Sequence, residues 1–369
     1  MDVNKLRLTN FRNYGEVTAE FEPGLNLIVG SNGQGKTTLL EAIYCLSALG
    51  SHRASTVSAM IRHEENSALV MATGRIGGSS VEATAEIVRG AGMKVWVNKQ
   101  RVGRGSSQRS LTAILFSPED LGLIKGGPEE RRRFMDHAAA RTRPVAVADR
   151  LDFEKVLRQR NGVLKAARTS ERALKQLEVW NDQLARSGAA VVKNRLEVLF
   201  GGLADSAARR YSELATSDPP SLTYQPSWSS EEITERREDV AGSILEALEA
   251  TRARDLETAS TSAGPHRDDL AIELGGAAAR TFASQGEQRS LSLSLRMAER
   301  DMVELAQGEA PILLLDDVFS ELDQARRNRL AELVAQSGQT IATATAAEPL
   351  PLEGGRTMRV DQGKLTTVA

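Results

Sequence analysis

Gly30-Ser31-Asn32-Gly33-Gln34-Gly35-Lys36-Thr37 is the stretch from which the rest of this 369-residue chain is read. It follows the apolar run Leu25-Asn26-Leu27-Ile28-Val29 and precedes Thr38-Leu39-Leu40-Glu41-Ala42-Ile43-Tyr44-Cys45-Leu46. A glycine at a strand end, another five residues on and a Lys-Thr pair opening a helix form the pattern that folds backbone N–H groups around a polyphosphate. Glycines let the backbone turn and approach a ligand where a Cβ would obstruct it. The helix beginning near Lys36 adds free N–H groups and the positive end of its dipole. Lys36 is expected to reach the β- and γ-phosphates, and the Thr37 hydroxyl to bind Mg²⁺. Ser31, Asn32, Gln34 and Thr38 complete the expected nucleotide contacts in the loop.

The chain is long enough for more than one domain, and its 26% charged and 41% hydrophobic residues are ordinary for a globular protein. No run of 18 apolar residues occurs, and Met1-Asp2-Val3-Asn4-Lys5 opens no apolar signal region, so a cytoplasmic location without membrane association is expected. Cys45 is the single cysteine, which excludes an intrachain disulfide. His52, His63, His137 and His266 are scattered, leaving Mg²⁺ carried by the nucleotide as the expected metal.

Leu6, Leu8 and Phe11, then Val17, Ala19 and Phe21, alternate with polar residues and predict an antiparallel pair ahead of the glycine-rich loop. Arg12-Asn13-Tyr14 lies between them, either a turn facing water or a contact to the base or phosphates. Arg53 of Ser51-His52-Arg53 is either a surface residue or an approach to phosphate. Ala68–Ile76, Val81–Val88 and Met93–Val97 predict a β meander, and Ala113–Phe116 a short buried strand. Asn98-Lys99-Gln100 continues to Arg101 and not to Asp, which spoils a guanine-reading pattern and favours ATP.

From Gly126-Gly127-Pro128-Glu129-Glu130-Arg131-Arg132-Arg133 the periodicity is helical to about Tyr211, predicting a helical arm or short hairpin. Asp218-Pro219-Pro220 and Gln225-Pro226 interrupt it, and Ser229-Ser230-Glu231-Glu232 carries a capping-box pattern into a helix ending near Leu256. Between Lys125 and Arg210 stand 19 Lys and Arg against 11 Asp and Glu, so 19 − 11 gives +8 in a chain of net −2. Such segregation is either a solvated face or a surface for an anionic polymer. Arg131, Arg132, Arg133, Arg141 and Arg143 are the candidate contacts to such a polymer.

Gly264-Pro265-His266-Arg267-Asp268-Asp269 leads into the strand-like Leu270–Leu274, and Ser284-Gln285-Gly286-Glu287-Gln288 opens a long helix. Pro311-Ile312-Leu313-Leu314-Leu315-Asp316-Asp317 reads as a strand buried on both faces that ends in two carboxylates. Asp316 is placed to hold Mg²⁺, and Asp317 to orient or deprotonate an attacking water. Lys36, Asp316 and Asp317 are therefore the candidate catalytic residues. Ser320-Glu321-Leu322-Asp323 follows, and Thr340–Thr345 predicts one more core strand.

In this order, these motifs resemble the head of ABC-type ATPases, and with a helical insertion between its halves the chain is similar to the SMC class. Arg12-Asn13-Tyr14, Pro118-Glu119-Asp120-Leu121, Gly127-Pro128-Glu129 running into Arg131–Phe134, Gly264–Asp268, Ser284–Arg289 and Leu315–Asp323 resemble the bacterial RecF family nearly end to end. That resemblance implies an α/β ATPase head over residues 1–123 with 264–369 and an inserted helical arm over 124–263. It implies a slow, DNA-dependent ATPase that dimerises with ATP, binds duplex or gapped DNA and works with RecR, and indirectly RecO and RecA, at gaps. It also implies a nucleotide-contacting role for Arg12 and Asn13, a signature at Ser284–Gln288 that meets the partner's nucleotide, and a D-loop at Ser320 and Asp323. No His follows the Thr340–Thr345 strand, so a threonine there takes the switch position, and Ser117–Glu119 is the candidate Q-loop.

Two other classes share parts of this pattern. The nucleotide-hydrolysing subunit of a membrane transporter has a short insert, against one of about 140 residues with a basic Lys125–Arg210 stretch here. A small-molecule kinase of the same loop type would leave Ser284–Glu287 without a role.

Overall fold

The computed structural model of the chain describes residues 1–54, 56–103, 111–167, 170–215, 218–231, 233, 239–345 and 355–368. They form two compact units, one of Met1–Asp120, Glu213–Ala215 and Glu299–Ala369, the other of Leu121–Ser212 and Thr216–Ala298.

The first unit opens with β1 (Asp2–Phe11), β2 (Tyr14–Glu20), β3 (Leu25–Val29), α1 (Lys36–Ala48), β4 (Ser67–Ile76), β5 (Ser79–Val88), β6 (Gly92–Val97), β7 (Gln100–Val102) and β8 (Ala113–Phe116). An antiparallel sheet runs in the order β2-β1-β4-β5-β6-β7. Its inner face carries Leu6, Leu8, Val17, Ala19, Val70, Ala72, Ala83, Ala85 and Ile87, all buried, as their alternation with polar residues predicts. Phe11 pairs with Tyr14, so Arg12-Asn13 is a two-residue hairpin loop, with Arg12 at φ 55°.

In the second unit, α2 (Gly122–Lys125) precedes α3 (Pro128–Thr142), which starts on a proline with Glu129 and Glu130 in its first turn. Next come α4 (Val145–Ala167) and α5 (Glu171–Val198). Asn194 bonds Asp149, and Asn181 accepts from Arg160, so α4 and α5 run antiparallel as the expected helical hairpin. A wide helical turn at Leu199–Leu203, with Gly202 at φ 135°, leads to α6 (Ala204–Leu214). There follow β9 (Pro220–Gln225), α7 (Val240–Ala250), α8 (Arg252–Thr258), β10 (Asp269–Leu274), β11 (Ala277–Ala278), α9 (Ala279–Phe282) and α10 (Gln285–Gln307). Strands β11-β10-β9 form a small antiparallel sheet.

The capping-box reading at Ser229 does not hold. Glu232 lies outside the described residues, Ile233 bridges Tyr224 as an isolated β pair, and the helix starts at Val240, where Asp239 accepts from the Gly242 N–H. A Ser-x-x-Glu pattern marks a helix only if the apolar period follows at once, and here a strand partner intervenes.

The chain returns to the first unit with β12 (Ile312–Asp316), α11 (Gln324–Ala335), β13 (Thr340–Ala344), β14 (Arg356–Asp361) and β15 (Lys364–Val368). The second large sheet has the order β15-β14-β3-β13-β12-β8, with β14, β3, β13, β12 and β8 parallel and β15 an antiparallel edge. Helix α1 packs against strands of both large sheets, which is why Leu39 to Leu46 are buried without a polar face. This is the expected α/β head fold. The compact units part inside α10, at Ala298 and Glu299, and not at residue 264. Pairing of β10 with β9 ties residues 269–274 to the helical unit. Among the described residues no helix is long and apolar enough to cross a membrane.

Candidate nucleotide site

Parallel register sets the site. Across the second large sheet Asp316 pairs with Thr343, and Thr343 with Ile28, so the C-terminal ends of β12, β13 and β3 lie side by side. Open parallel sheets place ligands at that edge. From β3 the chain turns through the loop, with Gly33 at φ 79° and Gly35 at φ 114°, into α1. A Cβ on Gly30 would stand 2.4 Å from the Val360 carbonyl oxygen, and one on Gly35 would stand 2.6 Å from Asn13 Nδ2. Both positions therefore require glycine.

Lys36 Nζ donates to the carbonyls of Gly30 at 2.7 Å and Ser31 at 3.0 Å, which fixes the ammonium inside the loop. Burial pulls its pKa below the usual lysine range, and the charges of Asp317 and Asp316 oppose that shift. Gln34 Oε1 accepts from the Gln362 N–H at 2.6 Å, and Thr38 is buried in the first turn of α1.

Asp316 receives two hydroxyls on one oxygen: Thr37 Oγ1 at 2.9 Å and Thr343 Oγ1 at 2.8 Å. Thr343 in turn accepts from the Asp317 N–H at 2.9 Å. Asp317 adopts φ 53°, a left-handed conformation that turns the chain sharply off the end of β12. Ser320 Oγ donates to the Asp317 carbonyl at 2.7 Å and holds that turn. Asp323 caps α11, accepting from the Arg326 N–H at 2.9 Å and pairing with its guanidinium.

Among the described residues no cluster of His, Cys, Asp and Glu could hold a metal by itself. Thr37 Oγ1 and Asp316 Oδ1, 2.9 Å apart, nevertheless fit the edge of an octahedron of hard oxygens about 2.0–2.1 Å from Mg²⁺. The remaining positions suit phosphate and water oxygens.

Arg12 is anchored to the fold. Its guanidinium grips the buried carboxylate of Glu41 through Nε at 2.9 Å and Nη2 at 2.5 Å, and also donates to the Ala59 carbonyl at 2.8 Å. Ser51 Oγ donates to the same carboxylate and accepts from the Arg53 and Ala54 N–H groups. Glu41 thus joins the β1–β2 hairpin, α1 and the loop after α1. Burial alone raises its pKa, but hydrogen bonds from Arg12 and Ser51 and the Arg12 charge carry it below the ordinary value. Asn13 Nδ2 donates to the Gln34 carbonyl at 3.1 Å and the Tyr14 hydroxyl to the Gly35 carbonyl at 3.3 Å, so this hairpin buttresses the loop. The sequence reading missed Glu41, an acid within an otherwise apolar helix face. His52, in the loop after α1, stands edge-on to Tyr44, its pKa lowered mainly by burial. In the candidate Q-loop, Ser117 N–H donates to Asp120 Oδ2 at 2.9 Å, and Glu119 is exposed.

In the second unit, Ser284 and Glu287 form a reciprocal capping box: Ser284 N–H donates to Glu287 Oε2 at 2.8 Å, and Glu287 N–H to Ser284 Oγ at 3.3 Å. Gln285 is exposed, Gly286 half-buried, and Gln288 is buried with its amide on the Ala279 and Arg280 carbonyls.

The five candidate DNA arginines belong largely to the fold. Arg131 makes a bidentate pair with Asp269, both bonds 2.8 Å, and Arg132 donates to the Asp268 carbonyl at 2.6 Å. Arg143 binds Asn194 and Glu197, and Arg141 is half-buried and engaged within the chain. Arg133 is exposed but neutralised by Glu129 and Glu130. Their partners include residues more than a hundred positions away, which a local charge count does not see. Asp268, fully buried, accepts from Tyr224, Ser227 and Trp228, and Arg195 links Asp136 to the Pro265 carbonyl. Gly264–Asp269 is thus the polar joint that seats β10 against α3 and α5.

Residues 2–361 match the family model described as the RecF/RecN/SMC N terminal domain, so fold and site define a member of that ATPase-head class. The chain is 38% identical over 383 residues to the DNA replication and repair protein RecF of Leifsonia xyli subsp. xyli, covering 99% of each chain. It is equally 38% identical to that of Streptomyces avermitilis, covering 100% of both. It belongs to the RecF family of DNA replication and repair proteins. The solved structure of the recombination mediator protein RecF with ATP in the RecFOR pathway is 29% identical, with TM-score 0.91, covering 100% of this chain and 97% of that one. An Smc head domain bound to the C-terminal domain of ScpA, from Pyrococcus furiosus, is 19% identical with TM-score 0.54 over 99% of this chain and 95% of that one, a likeness of fold.

Proposed function

We propose that the chain binds ATP with Mg²⁺ at the glycine-rich loop, dimerises in that state, binds duplex and gapped DNA and hydrolyses ATP slowly. The observation that carries this reading is the single Asp316 oxygen shared by Thr37 and Thr343, beside a lysine fixed inside the loop. Mg²⁺ held there would supply positive charge against the charge that develops on the phosphate oxygens. Thr37 and Asp316 hold the ion, and Lys36 pairs with the phosphate oxygens. Asp317 orients the attacking water and takes its proton. A carboxylate one methylene shorter than Glu must sit nearer its water, so turnover is slow and ATP acts as a timer.

Ser284–Gln288 reads the γ-phosphate of the partner protomer, because each loop already surrounds its own triphosphate. The likeness to a RecF–ATP structure of the RecFOR pathway supports RecR and RecO as partners, and the family resemblance adds RecA downstream and a cytoplasmic location. The test is Asp317→Asn. It is expected to bind ATP normally, lose about 10²–10⁴-fold in hydrolysis and accumulate ATP-bound dimer. Wild-type turnover in that variant would remove Asp317 from the mechanism. Binding of gapped, blunt and single-stranded DNA with and without ATP tests the nucleic-acid half of the reading.

A further inference from the structure

The basic excess of the Lys125–Arg210 stretch is concentrated at one end of the α4–α5 hairpin. From Lys155 to Lys175 stand seven Lys and Arg and one acid, Glu171, so 7 − 1 gives +6 of the +8 between Lys125 and Arg210. Arg160 is buried against Asp255, and Arg168 lies outside the described residues. Lys155, Arg158, Lys165, Arg172 and Lys175 are all exposed, and among the described residues none has an ion pair or hydrogen-bonding partner on its side chain.

Lys155, Arg158 and Lys165 are three and seven residues apart, which puts them on one face of α4 over about 15 Å of axis. Exposed Gln159, Gly162 and Ala166 fill that face, with no acid among them. A Cβ built on Gly162 meets open space, so a partner can come close to the helix. No large hydrophobic side chain is exposed between Lys155 and Lys175 among the described residues, as a membrane-lying helix would require. A row of free cations without apolar anchors complements a linear polyanion.

We infer that this face of α4, together with Arg172 and Lys175 in the first turns of α5, contacts the sugar-phosphate backbone of duplex DNA. The inference rests on the proposed DNA binding and locates it at the far end of the hairpin, away from the arginines engaged at its base. The test is a salt titration of labelled blunt duplex by fluorescence anisotropy, using the full chain with a non-hydrolysable ATP analogue. The triple variant Lys155→Gln, Arg158→Gln, Lys165→Gln keeps good helix formers. Its slope of log affinity against log salt is expected to flatten by about 0.9 per contact, roughly 2.7 in all, with affinity down about tenfold or more at physiological salt. ATP affinity and melting temperature stay at wild-type values. Arg172→Gln with Lys175→Gln gives a smaller loss, and Arg133→Gln none. A triple variant with wild-type slope and affinity would overturn the inference alone, as would an equal loss in Arg133→Gln. A wild-type chain that binds no duplex in any nucleotide state would overturn the proposed DNA binding itself.

Discussion

Thr343 and Asp316 face one another across adjacent parallel strands, the threonine hydroxyl donating to Asp316 Oδ1 at 2.8 Å while accepting the Asp317 N–H at 2.9 Å. One side chain thereby orients the residue proposed to hold Mg²⁺ and fixes the backbone of the residue proposed to handle water. Thr343→Val keeps the branched shape in a fully buried strand and removes both bonds. Nucleotide binding is expected to persist while hydrolysis falls about 10- to 100-fold, the usual penalty for losing an outer-shell partner. Steady-state phosphate release compared with equilibrium binding of a fluorescent ATP analogue separates the two effects; equal losses in both would assign Thr343 a purely structural role.

The glycine-rich loop and the paired acids were legible because their chemistry is local: each needs a few residue types at fixed spacing after an apolar strand. The meander was legible from the alternation at Val81, Ala83, Ala85 and Ile87. Strand β9 was hidden because prolines bracket it at 219, 220 and 226, although Leu222 and Tyr224 point inward between them. Strand β14 gains its place beside β3 from more than 300 residues away, a pairing no window reveals. The fate of the arginines was equally illegible. Arg131 is taken up by Asp269, 138 positions distant, whereas Lys165 stays exposed.

Glu41 offers a stability test. Its carboxylate is fully buried, and Arg12 and Ser51 bond it. Glu41→Gln keeps the shape and removes the charge, at an expected cost of about 2 kcal/mol. Because the folded pKa is depressed, the carboxylate contributes fully above its ordinary value of 4.5, and the contribution is lost as pH falls through the lower folded value. Melting temperatures of wild type and variant are expected to differ at pH 7 and to converge below pH 4.5. A constant gap would show that charge is not the stabilising element.

His266 carries a second pH dependence. Burial lowers its pKa from 6.5 to about 4, only partly offset by the hydrogen bond to the Thr261 carbonyl. The unfolded chain therefore binds a proton between pH 6.5 and 4 that the folded chain refuses. Stability is full above 6.5 and declines toward 4, by on the order of 3 kcal/mol. His266→Gln is expected to flatten that part of the profile, with His52, also depressed, leaving a residual slope. Urea midpoints from pH 7 to 4 read this directly, and an unchanged slope in the variant would assign the dependence elsewhere.

Ser284 separates a structural cap from a functional contact. Its hydroxyl and N–H close the capping box with Glu287 at the start of α10, and the side chain is exposed. If the box only starts the helix, Ser284→Arg costs about 1 kcal/mol of stability and nothing else. If this terminus also reads the partner's γ-phosphate, the long side chain blocks the approach of the second protomer. Ser284→Arg is then expected to keep wild-type ATP affinity and to stay monomeric with ATP, while Ser284→Thr, which retains a capping hydroxyl, still dimerises. Sedimentation velocity on wild type, Ser284→Thr and Ser284→Arg, each with and without a non-hydrolysable ATP analogue, tells monomer from dimer in each. An ATP-dependent dimer of unaltered strength in Ser284→Arg would sink the in-trans geometry, because a guanidinium on that exposed helix start could not share the space with a bound partner.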